Sequence, residues 1–189
     1  MDADNGMITK PIHGLIAQQA IPASIGMFFN TMFYVVDNYF SGLISTEAIA
    51  ALSLSFPVFF VILAIGFGIS TGTTALIANA LGAGDENKAQ LYAIQSVSFT
   101  ILLSLALTLL GLFAAPFLFG VLGAHGTYLA ISLSYINIIF YGLVFFCLTF
   151  VLNAILTAQG DTRSFRNVLI IGFFLNLIFD PWFIYGGFG

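Results

Sequence analysis

The chain has 189 residues, of which 60% are hydrophobic and 6% charged, whereas a soluble domain carries roughly 25% charged residues. That leaves too little polar surface to cover a water-soluble core, so lipid must be the solvent for much of the chain. Four Lys and Arg against eight Asp and Glu, a net charge of −4, exclude a basic nucleic-acid surface, while one Cys and two His exclude a disulfide framework and a Cys/His zinc site.

A spanning helix needs about 20 mostly apolar residues. No charge occurs in Pro11–Val36, Ala48–Gly84 or Ala89–Gly160, and a further apolar run covers Phe165–Tyr185. These stretches predict an all-α polytopic membrane bundle of five spans, near 12–40, 50–81, 91–118, 128–157 and 165–186. The acidic, polar Met1–Gly6 has no basic leader, so no cleaved signal peptide is expected.

Span one contains Pro22, an expected kink, and Asn30, Tyr34 and Asp37 share one of its faces by spacing. Span two holds a second kink proline, Pro57, and a small-residue surface from Gly66 to Ala78. Its Gly68–Gly72 pair predicts close helix packing. Gly82-Ala83-Gly84-Asp85 follows. It lacks the third glycine and preceding strand of a dinucleotide loop. It also matches the Gly-x-Gly-Asp of intramembrane aspartyl proteases. However, Glu86, Asn87 and Lys88 make it an aqueous loop, and the Tyr-Asp and Pro-Ala-Leu motifs are missing.

After span three, Pro116, Gly120, Gly123, His125 and Gly126 read as a turn. Span four carries Tyr135, Asn137 and Asn153. Tyr135 and Asn153 lie five turns apart on one face, a pattern that also suits plain helix–helix hydrogen bonding. Cys147 reads as packing, and His13 and His125 as interfacial. Span five carries Asn176 and, one turn on, Asp180-Pro181, with Gly172 leaving room on the same stripe.

Lys10, Lys88, Arg163 and Arg166 all fall on one side of a five-span topology, which predicts a multi-pass plasma-membrane protein with a cytoplasmic N-terminus. Spans one and five then both run outward, and Asp37 and Asp180 reach similar depth. A carboxylate inside a span is expensive and faces a cavity or partner. Asp37, Asp180 and Asn176 are therefore expected to form one site of hard oxygen ligands for sodium, or for a proton held between two acids. Pro181 withholds an N–H from the Leu177 carbonyl, a further oxygen for water or a cation. The alternative is that both acids are interfacial caps facing outer water.

Several stretches together resemble the multidrug and toxic-compound extrusion (MATE) transporters: Ile21-Pro22-Ala23-Ser24 opening the first helix, Phe67 to Ala75 with Gly82 to Asp85, Ala158-Gln159-Gly160-Asp161-Thr162-Arg163, and Asn176 to Pro181. The order and spacing are collinear over nearly the whole chain, although Ser164-Phe165 stands where the family often has a proline. The resemblance implies one lobe of a two-lobe, six-plus-six-helix transporter, here residues 1–189, ending after the fifth helix and requiring a C-terminal lobe as partner.

It also implies a non-enzymatic antiporter with no cofactor, extruding cationic amphipathic drugs across the plasma membrane in exchange for Na⁺ or H⁺. Asp37, Asn176 and Asp180, with Tyr135 in the same polar network, would be the cation-coupling residues. Asn30 and Asn153 would line the cargo cavity, and the first helix would bend at Pro22. Two other readings stand beside this one: a flippase or exporter of another cargo in the same superfamily, and a non-transporting membrane interaction module. The absence of Lys and Arg between Lys10 and Lys88, and between Lys88 and Arg163, disfavours an anionic cargo in this half.

Overall fold

The structure, a computed structural model, describes residues 11–44 and 46–186. Five helices follow one another: α1 (Ile12–Ile44), α2 (Thr46–Gly82), α3 (Glu86–Val121), α4 (Gly126–Ala158) and α5 (Arg163–Tyr185). They extend into the expected loops. α3 passes through Pro116 to Val121, so only Leu122–His125 makes the turn placed between Pro116 and Gly126. α1 and α2 likewise run into the expected Ser41–Ile49 connection. α1 is also continuous through Pro22, as α2 is through Pro57. Lys10, one of the four residues that set the predicted orientation, lies outside the described residues.

Among the described residues, four segments are long and apolar enough to cross a membrane: Leu52–Gly82, Glu86–Val121, Gly126–Ala158 and Arg163–Tyr185. α1 has the length, 33 residues, but Gln18, Gln19, Asn30, Thr31, Asp37 and Asn38 dilute its apolar character. A helix of this composition needs polar partners inside the bilayer.

The described chain forms two compact units. One contains α2, α3 and α4. Its core includes Ile62, Ala115, Phe119, Ile136, Phe140, Leu143 and Cys147. The buried positions of α4 are Ser132, Ile136, Phe140, Leu143, Cys147, Val151 and Ala154, a stripe spaced three or four residues apart. Helices in lipid gain no hydrophobic driving force from meeting each other, so small residues and hydroxyls carry the contacts. The Thr108 hydroxyl donates to the Phe140 carbonyl (3.0 Å), that of Thr74 to Ala154 (3.3 Å), and the Tyr128 phenol to Ala50 (2.9 Å).

The glycines that permit close approach are not the Gly68–Gly72 pair: a Cβ on either would meet no atom within 4 Å. They are Gly111, where a Cβ would lie 2.3 Å from the Phe140 ring, and Gly66, where it would lie 2.9 Å from Phe150. Short turns link these helices. Gly84 and Gly123 take φ of +75° and +90°, which let the backbone reverse without a side-chain clash.

The other unit contains α1 and α5. Its contacts keep a nearly constant register. The Thr162 hydroxyl meets the Gln19 carbonyl (3.5 Å), Gly26 packs on Arg166 and Leu169, and Phe29 meets Phe173 edge to face at 5.4 Å between ring centres. Later α1 residues meet later α5 residues, so the two helices run parallel and lie side by side over much of their length.

Candidate functional site

The α1–α5 register ends in a polar cluster. Asn176 is the one buried residue of α5 among those described, at 8% exposure. Its Nδ2 donates one hydrogen bond to Asp37 Oδ1 at 2.8 Å and one to Asp180 Oδ1 at 2.9 Å. Asp180 is held by helical spacing, one turn beyond Asn176 on the same face. Asp37 comes from a residue 139 positions away in sequence and is held by the parallel packing of α1 on α5.

The orientation of the amide follows from charge. A carboxylate only accepts, so the face of Asn176 that meets two carboxylates must be its NH₂. That leaves the cluster rich in acceptors. Asn176 Oδ1 and Asp180 Oδ2 are both buried and have no hydrogen-bond partner among the described residues. A buried acceptor without a donor costs about 1–3 kcal/mol, and more when charged. Pro181 adds to the imbalance, because it has no N–H to offer the Leu177 carbonyl. The cluster can therefore do one thing well: receive a positive charge, whether a proton or a small cation with hard-ligand preference. Among the described residues no three His, Cys, Asp or Glu side chains come together. The donor set is two carboxylates and one amide, all hard oxygen-bearing groups.

Neither acid terminates its helix. α1 continues from Asp37 to Ile44, and α5 from Asp180 to Tyr185. Both acids are half-buried rather than exposed as caps.

The structure thus joins three of the sequence-derived residues: Asp37, Asn176 and Asp180. Asn30, half-buried, lies two turns before Asp37 on α1, and Pro22 is buried in the same helix. Tyr135 and Asn153 stand on α4 and belong to the α2–α4 unit. One contributor escapes the sequence pattern, Gly26. A Cβ there would lie 3.1 Å from Leu169 Cδ1 and 3.4 Å from the Arg166 Cα, so the glycine lets α1 approach α5 closely at this level. A single glycine in an apolar run carries no such signal; its only cue is the four-residue spacing from Pro22.

At the opposite end of α5, Asp161 closes the first turn. Its carboxylate accepts from the backbone N–H groups of Arg163 and Ser164, both at 3.0 Å, and from the Ser164 hydroxyl. These bonds, those from Ser164 foremost, hold the Asp161 carboxyl below the usual carboxylate range.

Comparison with known proteins agrees with this architecture. The MatE family model matches residues 22–182. The chain is 31% identical over 183 residues to a FAD transporter of Shewanella oneidensis, covering 96% of this chain and 40% of that protein. It is 29% identical over 180 residues to the multidrug export protein MepA of Staphylococcus aureus, covering 94% and 40%. It superposes on a crystal structure of a MATE transporter in complex with MaD3S with a TM-score of 0.87 and 32% identity, over 93% of this chain and 40% of that one. The chain therefore spans about 40% of the length of these relatives, and corresponds to their N-terminal half. With apolar helices in parallel and antiparallel pairs, and a family match over most of its length, the chain belongs to the MATE family of multi-pass membrane transporters.

Proposed function

We propose that this chain is the N-terminal lobe of a cation-coupled antiporter that extrudes cationic amphipathic compounds across the plasma membrane, with its N-terminus in the cytoplasm. The observation that carries the reading is the Asn176 amide shared between Asp37 and Asp180, with two buried acceptor oxygens left over. Sodium or a proton entering from outside neutralises the pair. The carboxylates then compete less for the Asn176 N–H groups, and the tie between α1 and α5 loosens. Pro22 has no N–H for the Gln18 carbonyl, so α1 is weakest as a helix there and shifts about that point.

Coupling requires only that cation and cargo oppose each other's binding, and competition for the same acids suffices. The two lobes would then alternate their access around a fixed site. No group in this lobe is read as catalytic.

The relative named as a FAD transporter supports a second reading, in which the cargo is anionic and is recognised by the other lobe. Ethidium efflux from cells expressing the full two-lobe protein separates these readings. Efflux by the parent, lost in Asp37→Asn at matched expression, upholds the proposal. Equal efflux by both removes Asp37 from coupling. No efflux by either moves the cargo away from drug cations.

A further inference from the structure

The antiport reading leaves unused a groove of about 510 Å³ between α2 and α3, within the α2–α4 unit. Gly68, Gly72 and Thr73 line it from α2, and Tyr92, Gln95 and Ser96 from α3, with Phe99 at the deep end. The floor is open, because a Cβ on Gly68 or Gly72 would meet nothing within 4 Å. The walls carry polar side chains that open onto the groove. Thr73 is only 4% exposed, yet its hydroxyl forms no hydrogen bond with any described residue. The same holds for the side chains of Tyr92, Gln95 and Ser96 among the described residues. Gln95 lies nine residues beyond Glu86, about 14 Å along the helix at 1.5 Å per residue. A polar side chain at such a depth in a bilayer normally faces a partner.

The order of these groups identifies the partner. Lys88, Tyr92, Gln95, Ser96 and Phe99 follow one face of α3 from the loop inward. The Lys88 ammonium lies 5.9 Å from the Tyr92 ring centre, at the mouth. Asp85 is occupied by the Lys88 backbone N–H (2.9 Å), and Glu86 is set about 200° round the helix from Lys88, so neither cancels the ammonium toward the groove. From water to membrane the face therefore presents a cation, a phenol, an amide, a hydroxyl and a phenyl ring. A glycerophospholipid presents the complement in the same order: phosphate, ester carbonyls, acyl chain. A transmembrane helix could fill the glycine floor. Its backbone N–H groups are already paired, however, so only its side chains could donate or accept here, and none of them would reproduce the cation-to-apolar order of this face in full.

We propose that the α2–α3 groove holds one phospholipid of the adjoining leaflet. Its phosphate meets Lys88, its ester oxygens accept from Tyr92, Gln95 and Ser96, and one chain lies over Gly68 and Gly72 toward Phe99.

The test uses the full two-lobe protein in nanodiscs of phosphatidylethanolamine containing phosphatidylglycerol with a mid-chain diazirine, followed by photolysis and peptide mapping. Labelling should concentrate on residues 65–76 and 92–99. Gly72→Leu, which fills the open floor, should abolish it, and Lys88→Gln should lower it about fivefold, the weight of one lysine near an anionic surface. Labelling elsewhere on the protein serves as the internal standard in each case. Lys88 is exposed, so its variant decides the matter even if Gly72→Leu fails to fold. Undiminished labelling in Lys88→Gln overturns the proposal. So does a disulfide formed in high yield between a Gly72→Cys variant and a cysteine placed in the second lobe, which would show a helix on this floor. The readout is binding alone, so it stands or falls independently of the antiport reading.

Discussion

The hydrogen bond from Asn176 on α5 to Asp37 on α1 ties the two helices, and its strength can be measured by a double-mutant cycle of Asp37→Leu, Asn176→Leu and the pair. Interhelical hydrogen bonds in bilayers average about 0.6 kcal/mol and reach about 1.7 kcal/mol. This bond belongs at the upper end. It is 2.8 Å long, its acceptor is a carboxylate, and its donor residue is only 8% exposed. Bonds to an ionised partner are about twice as strong as neutral ones. The expected coupling is therefore about 1–1.7 kcal/mol. Asn176→Leu also removes the bond to Asp180, but that loss occurs in both legs of the cycle and cancels. The assay is reversible unfolding of the full two-lobe protein in mixed micelles at fixed pH and sodium. Additivity within about 0.3 kcal/mol would refute the claim that this bond ties the helices together.

Two further outcomes follow from local geometry. Gly111→Ala places a methyl 2.3 Å from the Phe140 ring, where ordinary contact begins near 3.4 Å, so the ring must retreat by about 1 Å. Phe140 is itself 3% exposed and has little room to move. Overpacking should cost about 1–3 kcal/mol, offset by up to about 1 kcal/mol of helix propensity. Gly142→Ala, with nothing within 4 Å, should gain that propensity alone; thermal unfolding that ranks Gly111→Ala at or above Gly142→Ala would contradict the packing. At the start of α5, Asp161→Ala should lose about 1 kcal/mol of capping, seen as faster amide exchange at Arg163 and Ser164. The folded-state carboxyl of Asp161 is depressed, so its contribution is complete above the ordinary carboxylate range and fades as pH falls through the lower folded value. Protection of those two amides that is unchanged from pH 7 down to about pH 2 would contradict this.

The bilayer made much of this protein legible from its sequence. Lipid offers no hydrogen bonds, so a chain with long uncharged apolar runs must fold as helices, and the scattered charges mark the connections. Even the Asn176–Asp180 contact is local, because two residues four apart on a helix are neighbours in any packing. The spacing also gave Asn30, Tyr34 and Asp37 a common face on α1. Helical periodicity goes no further, because it fixes which residues share a face but not which faces meet.

Only the tertiary structure brings Asp37 to Asn176 across 139 residues, by laying α1 parallel to α5, with Gly26 closely packed on Leu169 and Arg166. Only packing separates glycines in contact, at positions 26, 66 and 111, from the Gly68–Gly72 pair that opens onto the α2–α3 groove. The motif of small residues is the same in both settings. What differs is whether a bulky side chain such as Phe140 or Phe150 is pressed against the glycine, and that depends on the alignment of whole helices rather than on any local run of sequence.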